Sequence, residues 1–114
     1  MRRDTLFLEE IIEAAERIVE LTAGASVGEI DDDRIRREAL LWSFTVLGEA
    51  CTQLGEDVKA AHPEVPWRAP SDLRNRIVHA YWQLSTGILL ATAQDDIPAF
   101  LEAVRIVRRA RGND

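Results

Sequence analysis

The eleven residues from Asp72 to Trp82 hold two arginines, an amide, a histidine, a phenol and an indole, with no glycine or proline among them. Histidine is the residue type that titrates nearest neutrality. At a phosphodiester it can take the proton of a ribose 2′-OH or give one to the leaving oxygen. Arginine offers a planar fork that fits phosphate and neutralises charge growing in a phosphorane-like transition state. Chemistry of that kind needs no metal and no cofactor, and the sequence offers no carboxylate cluster that would hold a cation. A 2′-OH serving as internal nucleophile would confine the substrate to RNA. The same residue types also serve as hydrogen-bonded structural groups on an amphipathic helix, and spacing alone leaves both readings open.

Helical geometry limits how these groups can meet. At about 100° per residue from Arg74, Tyr81 falls near −20°, Val78 near 40°, Asn75 near 100° and His79 near 140°. Asn75 and His79 are i,i+4 neighbours, so the amide can orient the imidazole. Arg74 and Tyr81 share another strip. Arg74 and His79 share none, and they stand roughly 7.5 Å apart along the axis. A two-fold copy of the helix would supply the missing angle, which points to a composite site at a dimer interface.

The elements that must carry this segment read as helices throughout. Apolar residues at 7, 11, 14, 18 and 21, flanked by Leu8, Ile12, Ala15 and Val19, predict an amphipathic helix over 4–23. Asp4 or Thr5 can cap its start and Gly24 can end it. Residues 22–30 read as a loop, and 32–54 as a second helix. Its middle, 39–47, is apolar nearly all round, which predicts burial on several sides, centrally in a bundle or across a subunit interface. Gly48 would allow a close helix approach. Glu49 shares a face with Trp42 and Val46, so it either pairs with an arginine or belongs to the site.

Residues 55–65 read as a short helical turn and loop, with 62–67 extended because each proline disfavours helix in the residue before it. His62 has no companion ligand nearby. Pro70, Ser71 and Asp72 start a third helix that runs to about Gln83. Ser85 caps a fourth over 86–94, and Asp95 to Pro98 restart or kink it. A final helix turns Phe100, Leu101, Val104 and Val107 inward, with Arg108, Arg109 and Arg111 in its last turn. No strand alternation competes. The expectation is an all-α, up-and-down bundle of four or five helices in one domain over residues 1–114.

Composition narrows the class. Net charge is −6, which argues against a general nucleic-acid coat. The charge is uneven. Nine acids against one base lie between Glu9 and Asp33, while three arginines and one acid lie between Arg68 and Gln83. The acid run is either a solvated face or a surface for a basic partner. Lys59 is the only lysine, so nearly all positive charge is arginine. One cysteine, Cys51, sits in an apolar run and reads as a buried thiol. With no signal peptide and no apolar run of membrane length, the expected location is cytoplasmic.

Arg74-Asn75-x3-His79-x-Tyr81 resembles the R-x4-H-x-Y motif of the HepT family, a branch of the HEPN domains associated with minimal nucleotidyltransferases. Leu47-Gly48-Glu49-Ala50, His62-Pro63-Glu64-Val65-Pro66-Trp67-Arg68 and Asp96-Ile97-Pro98 fall in the same order as in that family. The resemblance implies a HEPN-like homodimer whose two motif helices face each other across a cleft. It implies a metal-independent endoribonuclease, the toxin of a type VII-like toxin–antitoxin pair. Arg74 and His79 would be the catalytic pair, supported by Asn75, Glu49 and Arg76. The antitoxin would be a nucleotidyltransferase that places AMP on Tyr81, obstructing and repelling an RNA backbone. Where the family often reads aromatic-Gly-Val-Asp after the tyrosine, this chain has Trp82-Gln83-Leu84-Ser85, and Ser caps a helix about as well as Asp. Trp82 either packs or stacks on a base. The acidic balance keeps a second reading open, a non-catalytic helical dimer that binds a nucleotidyltransferase or a nucleotide.

Overall fold

The computed structural model describes residues 2–112, and every regular element in that span is helical. The elements are α1 (Arg2–Thr22), α2 (Val27–Asp31), α3 (Arg34–Gln53), α4 (Glu56–Ala61), α5 (Arg68–Ala80), α6 (Thr86–Ala91) and α7 (Ile97–Arg111). A 3₁₀ turn (Tyr81–Gln83) follows α5, and a π-helical turn (Thr92–Asp96) joins α6 to α7. Five of the seven α-helices, α1, α3, α5, α6 and α7, are the expected ones; the short α2 lies in the expected loop and the short α4 where a helical turn was expected. Among the described residues no helix is long and apolar enough to cross a membrane.

Burial follows the apolar spacing. Leu8, Ile11, Ala14, Ala15 and Ile18 of α1 are buried against Leu40, Phe44, Leu47 and Cys51 of α3, with Phe100, Leu101, Val104 and Val107 of α7 completing the core. Central α3 packs on α1 at one side and α5 at the other, and α7 packs on the far side of α1. Side-chain contacts fix the directions. Asp4 near the start of α1 meets Gly55 beyond the end of α3, and Thr52 near the end of α3 meets Ser71 near the start of α5. Neighbouring long helices therefore run antiparallel, the up-and-down order expected.

Several local details differ from the expectation. Asp4 lies inside α1, and its Oδ1 accepts from the Gly55 backbone N–H at 2.9 Å instead of capping its own helix. Gly24, at φ +67, does end α1 in the left-handed conformation, and the Gln94 amide donates to the Ala25 carbonyl and to the Thr22 carbonyl, which also accepts from the Ala25 N–H. Residues 22–30 are not all loop. Ser26 and Glu29 form a reciprocal capping box that starts α2. Residues 62–67 turn rather than extend, since the Val65 N–H bonds the His62 carbonyl and the indole N–H of buried Trp67 bonds it as well. Trp67 also sets its ring edge on Phe100 at 6.3 Å, anchoring the start of α5. The fourth helix stops at Ala91 because Pro98 has no N–H for the Gln94 carbonyl, and the chain takes up the mismatch as a π turn.

The acid run serves the fold in part. Glu16 Oε2 pairs with Arg105 at 2.9 Å and Glu9 Oε1 with Arg108 at 3.2 Å. Arg105 and Arg108 thus face α1 rather than the motif segment. Cys51 is buried as expected, and burial pushes its thiol up to about 12, far from reactive.

Candidate active site

Gly48 decides where the motif helix lies. A Cβ placed there would collide with Arg74 Cβ and the Pro70 carbonyl, so the absence of a side chain lets α5 press onto α3. Pressed this close, Arg74 turns toward α3. Its Nη2 pairs with Glu49 Oε2 at 3.4 Å, and Gln53, one turn further along α3, donates to Glu49 Oε1 at 3.1 Å. Arg74 Nη1 donates to Asn75 Oδ1 at 2.9 Å, and its Nε is buried with no hydrogen-bond partner among the described residues. Glu49 is therefore the arginine's ion-pair partner. Asn75 orients that guanidinium; its carbonyl oxygen is not turned to the imidazole, as the i,i+4 spacing suggested.

His79 lies on the other face. With Asn75, Arg76, Ala80, Gln83 and Leu84 it lines an open hollow of 440 Å³. His79 and Arg76 are exposed and make no hydrogen bond or ion pair among the described residues. One chain thus brings Asn75, Arg76 and His79 together and leaves Arg74 off to the side, as their helical angles require. Among the described residues no three His, Cys, Asp or Glu side chains gather as a metal site would need.

Tyr81 departs most from expectation. The third helix ends at Ala80, whose φ of −155 and ψ of 42 break the helical path, so Tyr81 does not continue the Arg74 strip. The cause lies in a distant clasp. Arg37 of α3 donates from Nη2 to the Leu84 carbonyl at 3.1 Å and from Nε to Thr86 Oγ1 at 3.0 Å, while the Thr86 hydroxyl donates to Asp31. Leu84 is buried, its N–H closes the 3₁₀ turn on the Tyr81 carbonyl, and Ser85 Oγ accepts from Ile88 N–H to start α6. Held this way, Tyr81 is 53% and Trp82 67% exposed, their rings edge to face at 5.5 Å.

The arrangement of an arginine with its carboxylate partner, an amide, a free histidine and an exposed tyrosine in one short segment invites comparison with known proteins. A model of the family described as "Ribonuclease HepT-like" matches residues 11–107. The chain belongs to that family. A protein of Thermococcus cleftensis named "Probable ribonuclease HepT" is 33% identical over 93 residues, covering 82% of this chain and 84% of its own length. Two further relatives carry RNase names. "Putative RNase MJ1380" of Methanocaldococcus jannaschii is 29% identical over 101 residues, covering 89% and 93% of the two chains. "Putative RNase TTE0752" of Caldanaerobacter subterraneus is 26% identical over 105 residues, covering 92% and 94%. No solved structure matches.

Within the HepT-like segment, sequence reasoning missed the Arg37–Thr86–Asp31 clasp and the Gln53 contact to Glu49. Gln53 stands at i+4 from Glu49 and was detectable on that spacing. Arg37 reaches across 47 residues to Leu84, and no local pattern marks such a link.

Proposed function

We propose that the chain is a metal-independent endoribonuclease of HepT type, acting as a homodimer whose cleft unites Arg74 of one copy with His79 of the other. The observation that carries this is the split site: a histidine open to a hollow, and an arginine preorganised by Glu49 and Asn75 one face away. His79 would take the 2′-OH proton as the oxygen attacks the adjacent phosphorus. Arg74, with Arg76 beside the hollow, would neutralise the growing charge, and the P–O5′ bond would break as the leaving oxygen takes a proton from an imidazolium or from water, giving a cyclic phosphate and a 5′-hydroxyl. Cleavage of RNA by the purified protein in EDTA tests this. No cleavage by unmodified wild type would favour a non-catalytic helical dimer that binds a nucleotidyltransferase or nucleotide.

A surface suited to the second copy adjoins the Arg74–Glu49 pair. Ile35, Trp42 and Glu49 follow at seven-residue spacing along α3. Ile35 and Trp42 are exposed, Trp42 at 64%, and so are Val78 of α5 and Trp82 of the turn that follows it. An aromatic patch beside a charged pair, with the site incomplete in one copy, fits a self-complementary interface. Trp42→Glu is expected to yield a monomer in analytical ultracentrifugation and to lose cleavage with it. A dimer that survives that substitution would place the interface elsewhere.

The same reading makes the chain the toxin of a pair, silenced by a minimal nucleotidyltransferase that joins the Tyr81 phenol oxygen to the α-phosphorus of ATP and releases pyrophosphate. Support comes from the exposure of Tyr81 on a turn one residue beyond the helix that carries His79. Incubation with such a partner and ATP is expected to raise the intact mass by AMP units and to stop cleavage. An equal gain in Tyr81→Phe would move the modification to another residue.

A further inference from the structure

A second hollow, of 620 Å³, lies at the corner between α4 and the start of α5 and has no role in the mechanism above. Thr52, Lys59, Pro66, Arg68, Asp72 and Asn75 are among the residues that line it, and Asn75 also lines the hollow of His79. We propose that this second hollow is a ribonucleotide subsite seating the neighbour of the scissile phosphate, with Arg68 and Lys59 on its phosphate and Asp72 on its base. The subsite presupposes the ribonuclease reading given above.

Continuity supports it first. Arg68, Asp72, Asn75 and His79 follow at spacings of four, three and four, so one face of α5 runs from hollow to hollow over roughly 16 Å. A strand with its scissile phosphate at His79 would be led along that face into the corner. Size agrees as well, since small-molecule sites usually span about 300–1,000 Å³.

The charges point to a nucleotide rather than to a bare anion. Lys59 and Arg68 are matched on the same walls by Glu56 and Asp72. The Lys59 ammonium is held in place, within 3.4 Å of both the Thr52 carbonyl and Glu56 Oε1, with the side chain only 19% exposed. Asp72 is exposed and makes no hydrogen bond or ion pair among the described residues. A carboxylate beside a phosphate path opposes anion binding unless it accepts from a donor on the ligand. The exocyclic amine of adenine, cytosine or guanine is such a donor, whereas uracil has no exocyclic amine and offers only its ring N3–H. Pro66 supplies an apolar wall for the ring.

The test uses oligodeoxynucleotides with a single ribonucleotide, so that one linkage can be cut, and with the base on either side of it varied. At one of the two neighbouring positions, KM is expected to be about tenfold lower for an amine-bearing base than for uracil. Asp72→Ala should erase that preference, and Arg68→Ala should raise KM about tenfold with the loss confined to KM, restored by Arg68→Lys. In parallel, the anisotropy of the same labelled oligonucleotides on His79→Ala protein reads binding without chemistry. Cleavage by wild type with no base preference, and with KM unchanged in both variants, overturns the subsite and leaves the ribonuclease intact. Base-dependent binding that Asp72→Ala removes, with no cleavage by wild type, keeps the subsite and overturns the ribonuclease. Neither binding nor cleavage overturns both.

Discussion

Replacing His79 with alanine is expected to lower RNA cleavage by roughly 10²–10⁴-fold, the usual contribution of a positioned general acid–base group. Because the side chain is exposed and makes no hydrogen bond among the described residues, the thermal midpoint should stay within a degree or so of wild type. Loss of activity without loss of stability would then report chemistry. Arg74→Ala should cost a comparable factor of about 10²–10³, but it also removes an ion pair and a side chain seated on Gly48. Arg74→Lys is the better companion, since it keeps the charge and loses the fork. Mixing the two inactive proteins makes the sharpest version. If each working site joins Arg74 of one copy to His79 of the other, half the mixed dimers are heterodimers with one intact site. Activity should then recover to about one quarter of wild type. No recovery on mixing would sink the shared-site reading, and full activity of His79→Ala would sink the mechanism.

What the sequence made legible was what depends on short-range spacing. The apolar stripes of α1 and α7 face the core as their periodicity required, and Gly48 does admit a close helix because a missing Cβ is a local fact. The separation of Arg74 from His79 also followed from helical angle alone. The position of Tyr81 did not, because extending the wheel past Ala80 assumed a helix that a long-range contact interrupts. Arg37, Thr86 and Asp31 together pull Leu84 into the fold and turn the chain three residues early. Asn75 likewise had two reachable partners, His79 at i+4 and the long side chain of Arg74 next door, and the guanidinium took its carbonyl oxygen. The apolar middle of α3 left two places for Trp42, the core of a bundle or a subunit interface, and within one chain it is exposed while its neighbours Leu40, Leu41 and Phe44 are buried. Helix α2 was readable from Ser26-x-x-Glu29, a capping box two residues beyond a glycine that ends the preceding helix.

Gly48→Ala separates helix propensity from packing, because the two predict opposite signs. Propensity alone says that alanine in a helix interior is better than glycine by roughly 0.5–1 kcal/mol. Packing says that the new methyl overlaps Arg74 Cβ and the Pro70 carbonyl, the second of which is backbone and cannot swing aside. Helices α3 and α5 would have to move apart, and overpacking of this kind usually costs about 1–3 kcal/mol. The expected result is a net loss, seen as a thermal midpoint several degrees below wild type, with Gly48→Val lower still. Gly28→Ala is the control, since a methyl there meets nothing nearer than Ser26 Oγ at 4.0 Å and should be neutral or stabilising. Activity carries the second half of the prediction. Spreading α3 from α5 shifts Arg74 relative to Glu49, and a displacement of about 1 Å at a positioned group can cost 10²-fold in rate. Cleavage should therefore fall well below the melting range, while His79, on the opposite face of α5, keeps its surroundings. A Gly48→Ala protein as stable and as active as wild type would mean that α5 does not need this contact to aim Arg74.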